Sequence, residues 1–202
     1  MGAGLGSNTA FMNDGSPLLW ECIEPDPVMT EQLRAAVAVG DLPRNVTVEC
    51  GTLERRSIHC VDTIIYIDVL EHIEDDSAEI HAAQARLEPG GHLIVLAPAH
   101  QWLYSPFDTA IGHYRRYSRR SLLDVAAPGL ELVEAFYLDS AGLLASAANK
   151  LVLRASSPSA AQIAFWDNVI VRASQILDRL TFGRVGKTVV AVWRRAPPHP
   201  LG

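Results

Sequence analysis

The residues of this sequence that are best suited to chemistry lie in short loops that follow predicted strands. Gly2, Gly4 and Gly6 form a glycine-rich turn, and Glu24 follows the next apolar segment. Glycines let a ligand approach the backbone, and the N–H groups at a helix start favour anionic groups. An acid about 20 residues after such a turn is typical of contact with ribose hydroxyls. These features together favour a nucleotide-type ligand, although a plain tight turn and a solvated acid remain alternatives.

A second group of polar residues follows the apolar, β-branched segment 62–67. Asp68 is placed to accept hydrogen bonds from an ammonium group, and His72 is placed to act on a substrate or to line its pocket. The plainer alternative is that Asp68 caps a turn and that Glu71 and His72 begin a helix.

The segment 99–120 is polar, aromatic and rich in arginine. We expect it to bind an anionic or hydroxylated acceptor, with His100 or His113 taking the acceptor's proton. A solvated basic face that opens a helix is nearly as good an interpretation, and nucleic-acid binding is a weaker one. The candidate acceptor residues are Trp102, Asp108, His113, Tyr114, Arg115 and Tyr117.

The composition is that of a globular protein with one sizeable core. The chain has 202 residues, of which 49% are hydrophobic and 20% are charged, and its net charge of −6 argues against a general nucleic-acid binder. We expect no transmembrane segment, a cytoplasmic location, and no metal site, because no metal-ligand spacing is seen. Cys22, Cys50 and Cys60 are predicted to be buried free thiols.

Strand-like and helix-like segments alternate along the chain, which predicts a doubly wound, mainly parallel α/β sheet. We expect one domain over residues 1–202, with an acceptor-side insertion at 99–120 and a helical lid at 139–182. Ser77 is predicted to cap a helix that stops at the glycines after Pro89, and Ser121 is predicted to begin another helix. Strands are predicted at 18–23, 46–50, 62–67, 92–97, 131–138 and 186–194, and helices at 28–39, 77–87, 140–154 and 160–180.

Four motifs in this order resemble the class I S-adenosylmethionine-dependent methyltransferases of the bacterial small-molecule type. They read GAGLG, IEPDP, DTIIYIDVLEHI and LEPGGHLIVLAP. The resemblance covers residues 1 to 99 and implies a seven-stranded Rossmann-like sheet with an antiparallel last strand. In the family a first strand precedes the glycine loop, so the resemblance implies an N-terminally truncated sheet in this chain.

The resemblance also implies roles for individual residues. Contacts with the methionine part of S-adenosylmethionine are implied for Gly2, Ala3, Gly4, Asp68 and Val69, contacts with its ribose for Glu24 and Pro25, and contacts near its adenine for Thr52 and Leu53. The segment 104–117 resembles a subgroup of bacterial enzymes of natural-product or cell-envelope sugar and lipid pathways. From the chemistry of their side chains, the candidate catalytic residues are His113, His100 and Tyr114, and the candidate acceptor-binding residues are Asp108, Arg115, Tyr117 and Trp102.

The leading hypothesis is therefore methyl transfer to a small or lipid- or sugar-linked acceptor, at oxygen in preference to nitrogen or carbon. A homodimer is compatible with it. The alternative is a non-catalytic or repurposed methyltransferase-like protein, such as a partner subunit. An NAD-dependent oxidoreductase is disfavoured because Ser7 stands where a dinucleotide fingerprint needs glycine.

Overall fold

The computed structural model describes residues 1–53, 60–148 and 169–197. The backbone divides into two compact units, Met1–His59 and Cys60–Gly202. Each unit is described by itself below.

The first unit is built on two parallel strands. Trp20 of β1 pairs with Val46 of β2, and Glu24 at the end of β1 pairs with Cys50. Cys22 and Val46 pack with Leu33 and Leu42 in a buried apolar cluster. The elements are α1 (Ser7–Met12), β1 (Trp20–Glu24), α2 (Pro27–Val39) and β2 (Val46–Cys50).

Helix α2 begins one residue before its predicted start and ends at Val39, as predicted. The Asp26 carboxylate accepts hydrogen bonds from the N–H groups of Val28 and Met29, and Pro27 occupies the first turn. Gly40 ends the helix with a left-handed φ of 87°. The cap fixes where the chain leaves Glu24 and so helps to set the position of that side chain.

The second unit contains a four-stranded sheet in the order β3-β4-β6-β5. β3 and β4 are parallel, whereas β6 is antiparallel to both of its neighbours, β4 and β5. The predicted α/β fold class with an antiparallel last strand is confirmed. The strands are β3 (Val61–Ile67), β4 (Leu87–Pro98), β5 (Leu130–Leu138) and β6 (Thr188–Arg195).

Short helices connect these strands. A 3₁₀ turn at Leu70–His72 follows β3, and a second one at Gln101–Leu103 follows β4. The α-helices are α3 (Asp76–Arg86), α4 (Pro106–Ala110), α5 (Arg119–Asp124), α6 (Ser140–Ala148) and α7 (Val171–Leu180). Residues 149–154 and 160–168 of the two predicted helices lie outside the described part of the chain.

Two predicted helix starts are wrong. Asp75, not Ser77, caps α3, because its carboxylate accepts the N–H of Ala78. Helix α5 begins before Ser121, since Ser118 and Ser121 form a capping box at its N-terminus. In both cases an earlier polar side chain reaches the free N–H groups of the first turn.

The predicted role of the glycines after Pro89 is also wrong. Helix α3 ends at Arg86, and Gly90 and Gly91 lie inside β4. A Cβ atom on Gly91 would lie 2.8 Å from the carbonyl oxygen of Asp62 in β3. Glycine is needed there for the close approach of two strands, at a register shift between them.

The described strands form one two-stranded and one four-stranded sheet, whereas the resemblance implied seven strands in one sheet. Cys22 is buried as predicted, but Cys50 and Cys60 are exposed. Cys50 ends β2 and Cys60 precedes β3, so neither lies in a strand centre, where both faces are covered. Across the described residues, no helix is long and apolar enough to cross a membrane.

Candidate functional site

In the first unit, the glycine turn and Glu24 are directly connected. The Gly4 N–H donates a hydrogen bond of 2.8 Å to Glu24 Oε2, and the Asp26 N–H donates one of 3.0 Å to Oε1. Glu24 is only 6% exposed. Each carboxylate oxygen can accept two hydrogen bonds, so each keeps one acceptor position for a ligand hydroxyl.

The glycines of the turn have different roles. Gly2, Gly4 and Gly6 have φ angles of 60°, 55° and 86°, in the left-handed region. A Cβ atom on Gly6 would lie 2.8 Å from Leu33, so Gly6 is needed for packing. Around Gly4 nothing lies within 4 Å of that position. Gly4 therefore leaves space for a ligand beside the backbone.

The other residues expected at the cofactor in this unit differ in exposure. Ala3 donates its N–H to the Ile23 carbonyl at 3.3 Å and packs against the apolar cluster. Pro25 and Thr52 are exposed, and Leu53 is buried. The structure thus gathers Ala3, Gly4 and Glu24 at the end of β1.

In the second unit, Asp68 and Val69 lie directly after β3, as predicted. Asp68 has a φ of 52°, which is uncommon for a residue other than glycine, and its N–H donates to the Leu96 carbonyl at 3.0 Å. This bond fixes the turn that leads into the 3₁₀ segment containing Glu71 and His72. The turn therefore places an acid and a histidine four and five residues beyond the strand end.

Asp108 is fully buried and binds only protein groups. It accepts hydrogen bonds from Ser105, from Arg116 Nε at 2.8 Å and from His113 Nδ1 at 3.0 Å. Burial alone would raise the pKa of Asp108, but the bonds from Arg116 and Ser105 outweigh it and lower the pKa below its ordinary value. We expected Asp108 to contact an acceptor; its burial instead favours a role in positioning His113.

The bond to Asp108 determines which nitrogen of His113 is available. Because an ionised carboxylate only accepts hydrogen bonds, Nδ1 carries the proton and Nε2 carries the lone pair. Burial lowers the pKa of His113 below its ordinary 6.5, against the opposing bond from Asp108, so the ring is neutral near pH 7. His113 Nε2 lies 3.8 Å from Glu71 Oε1.

Glu71 is the most unusual side chain of this group. It is 0% exposed, and neither carboxylate oxygen has a hydrogen-bond partner among the described residues. Burial raises the pKa of the Glu71 carboxyl to about 8. Its backbone carbonyl accepts the N–H of Tyr114 at 2.8 Å, which ties the 3₁₀ turn to the arginine-rich segment.

Tyr117 and Arg115 also face the protein. The Tyr117 hydroxyl donates to Asp76 Oδ2 at 2.7 Å, and Tyr117 is 1% exposed. Arg115 bonds the Glu74 carbonyl at 2.7 Å and pairs with the same Asp76 carboxylate. Both were expected to contact the acceptor, but these bonds instead attach the segment to the N-terminus of α3.

The expected acceptor residues with accessible surface are Trp102 and Tyr114, which are 51% and 52% exposed. His100 has a φ of 67°, and its Nε2 donates to the Gly186 carbonyl at 2.9 Å. Its ring stacks on Tyr137 with centroids 5.2 Å apart. His100 is thus fixed by two contacts at the end of β4.

Sequence reasoning missed Glu71 as a functional candidate. Glu71 entered the sequence analysis only in the alternative that it begins a helix, whereas it lies buried in a 3₁₀ turn. The available signal was an acid within the apolar sequence DVLEHI, three residues after Asp68. Its proximity to His113 depends on tertiary folding and has no signature in local sequence.

Comparisons with known proteins show the fold. No protein-family model and no curated protein sequence matches the chain. The chain is similar to an S-adenosylmethionine-dependent methyltransferase from Mesorhizobium loti, with a TM-score of 0.61, 16% identity, and coverage of 96% of this chain and 88% of that one.

Two further solved structures differ in activity. One is the N-methyltransferase NodS from Bradyrhizobium japonicum in complex with S-adenosylhomocysteine, with a TM-score of 0.57, 13% identity, and coverage of 96% and 74%. The other is the cyclase SpnF, with a TM-score of 0.65, 15% identity, and coverage of 97% and 73%. The chain therefore has the fold of the class I S-adenosylmethionine-dependent methyltransferases.

Proposed function

We propose that this chain transfers a methyl group from S-adenosylmethionine to an oxygen atom of a small acceptor, or of one carried on a lipid or a sugar. The observation that carries the proposal is the bonded pair of Gly4 and Glu24, on a chain with the methyltransferase fold. Fold alone does not determine function, so the proposal rests on side chains within each unit.

The residues of the first unit fit the nucleoside part of this cofactor. Glu24 is held rigidly by two backbone N–H groups and keeps acceptor positions for the ribose hydroxyls. Gly4 leaves open space where a side chain would block a ligand. We propose that Gly2 and Ala3 contact the methionine part, Pro25 the ribose, and Thr52 and Leu53 the adenine. When bound, S-adenosylmethionine supplies an electrophilic methyl group.

In the second unit, we propose that Asp68 and Val69 contact the methionine end and that His113 acts on the acceptor. A neutral His113 with its lone pair on Nε2 can take the proton of an acceptor hydroxyl. Asp108 holds the ring in this tautomer and stabilises the imidazolium that forms. The exposed rings of Trp102 and Tyr114 give the acceptor an apolar surface.

The binding test measures S-adenosylmethionine affinity by isothermal titration calorimetry for the chain and for Glu24→Ala. Loss of a charge-assisted hydrogen-bond pair costs roughly 1.5–3 kcal/mol, so we expect affinity to fall by about 10-fold to 150-fold. Glu31→Ala is the matched control, because Glu31 lies exposed on α2 in an ion pair with Arg34.

The results separate the proposal from its alternative. Unchanged affinity in Glu24→Ala, with circular dichroism like the parent chain, would remove Glu24 from the site. No binding by the parent chain would favour a non-catalytic or repurposed methyltransferase-like protein. SpnF has this fold and is a cyclase, so binding must be followed by detection of a methylated product.

A further inference from the structure

Glu71, His72 and His113 bring three ligand atoms together in the second unit. One atom from each side chain lies within 4.8 Å of the other two. The His72 and His113 rings meet edge to face, with centroids 4.6 Å apart. Two imidazoles and one carboxylate form a ligand set that binds first-row transition metals in many proteins.

Both oxygens of the buried Glu71 carboxyl lack a hydrogen-bond partner among the described residues, so this group is available as a metal ligand. An unpaired carboxylate is costly to bury, and buried charges are normally paired or bound to a metal. His113 is 3.8 Å away, too far for a hydrogen bond, and it presents a lone pair to the carboxylate instead of a proton. Arg116 donates its Nε–H to Asp108 and forms no hydrogen bond with Glu71.

His113 is held as metal-bound histidines are held. Its Nδ1–H donates to the Asp108 carboxylate at 3.0 Å, and the opposite nitrogen faces Glu71. A carboxylate that orients an imidazole through one nitrogen, so that the other can bind a metal, is the usual outer partner of a histidine ligand. Three other donor groups, two from Ser105 and one from Arg116, hold Asp108 in turn and so fix this orientation.

We propose that Glu71, His72 and His113 bind one divalent transition-metal ion of the zinc, manganese or iron(II) class. Two nitrogen donors favour such ions over magnesium and calcium, which prefer oxygen. Ligand atoms about 2.0–2.1 Å from a tetrahedral ion lie about 3.3 Å apart, so the three side chains must close by about 1 Å. His72 is exposed, and the ion would keep positions open on that side.

The ion would change the role of His113. With Nε2 bound to metal, the ring is no longer the base, and an acceptor oxygen bound to the ion would lose its proton more easily. This consequence rests on the proposed function, whereas metal binding itself does not. The experiment therefore measures binding without S-adenosylmethionine or any acceptor.

The test uses the full chain without an affinity tag, stripped with a chelator and titrated with cobalt(II). Visible absorption reports nitrogen ligands, and competition with zinc and with magnesium reports selectivity. We expect one equivalent of cobalt, displaced by zinc and not by equimolar magnesium. Glu71→Gln, His72→Gln and His113→Gln should each weaken binding at least 10-fold. His81→Gln, at an exposed histidine on α3, should leave it unchanged.

Each other outcome overturns the proposal. Absence of stoichiometric binding by the parent chain excludes the site. Binding that Glu71→Gln and His72→Gln both leave unchanged places the ion elsewhere, and an equal loss in His81→Gln indicates adventitious surface binding. His72 is exposed, so His72→Gln decides the question even if the substitutions at the buried positions prevent folding.

Discussion

Three buried glutamates differ in how their carboxylates are satisfied. Glu24 accepts two backbone N–H groups, and Glu79 accepts the hydroxyl of Tyr66 at 2.6 Å. Glu71 is the least exposed of the three and has no hydrogen-bond partner among the described residues. A buried polar group without a hydrogen-bond partner lowers stability, so its presence calls for an explanation, such as a role in binding or catalysis. This contrast is why Glu71 is included in the proposed metal site.

The unpaired Glu71 carboxyl predicts that the unfolding free energy of the metal-free chain depends on pH. The pKa of Glu71 is raised from 4.5 in a solvated state to about 8 in the folded chain. The folded state therefore binds more protons than the unfolded state between these values, and the unfolding free energy falls as pH rises through them. At a pH above both pKa values, the ionised Glu71 lowers the unfolding free energy by its full amount, on the order of a few kcal/mol.

Glu71→Gln removes this penalty and isolates it from other titrating groups. We expect the variant to gain stability over the parent chain as pH rises from 5.5 to 8.5, measured by urea unfolding with a chelator present. Glu31→Gln, at an exposed position, should show a difference that does not change with pH. A constant difference between Glu71→Gln and the parent would contradict the assignment of an ionisable, unpaired Glu71.

At the scale of elements, α6 and α7 are joined by reciprocal caps. The Asp178 carboxylate on α7 accepts the N–H groups of Asp139 and Ser140 at the start of α6. The Asp139 carboxylate accepts the N–H of Gly142 and the hydroxyl of Ser174 on α7. A cavity of about 250 Å³ beside the caps is lined by Leu138, Asp139, Val171, Ser174, Gln175 and Asp178.

We expect Asp178→Ala to destabilise this helix pair. The change leaves two N–H groups at the start of α6 without their acceptor, which costs about 1–3 kcal/mol. Chemical denaturation monitored by far-ultraviolet circular dichroism measures the loss. Asp124→Ala is the matched control, because Asp124 is exposed on α5 and its ion pair with Arg120 is long, at 4.0 Å. Equal losses in the two variants would show that the caps do not stabilise the pair.

Local sequence predicted helices and strands better than it predicted helix caps or tertiary contacts. The predicted bounds of β2 are those observed, and Gly40 ends α2 as predicted. The cap of α3 was misplaced because Asp75 and Ser77 are both good capping residues, and sequence alone does not choose between them.

For the site residues too, local sequence predicted positions at strand ends but not tertiary contacts. Glu24 was found because strand ends place ligand-binding acids in open α/β sheets. The proximity of His113 to Glu71 was not predictable, since it joins the turn after β3 to a segment that follows β4. Asp108 and Tyr117 were predicted at the acceptor because exposed and buried polar residues look alike in sequence.

At the scale of the whole molecule, the fold narrows the choice of ligand without deciding it. The sheet of the second unit inserts an antiparallel β6 between β4 and β5, and the chain is similar to methyltransferases and to a cyclase. All these similarities are below 20% identity, so side chains must discriminate between ligands. The glycine turn alone would also suit other nucleotides.

A ligand that binds only the folded chain raises its stability by an amount fixed by concentration and affinity. At 100 times the dissociation constant the gain is about 2.7 kcal/mol, which for a chain of this size raises the melting temperature by about 5–10 °C. We expect this shift with S-adenosylhomocysteine and none with NAD, because Ser7 replaces the glycine that a dinucleotide turn needs. Differential scanning calorimetry measures both, with Glu24→Ala expected to reduce the first shift. A shift in melting temperature with NAD alone would assign the glycine turn to a dinucleotide. Equal shifts with both ligands would mean that the site recognises only the adenosine that they share.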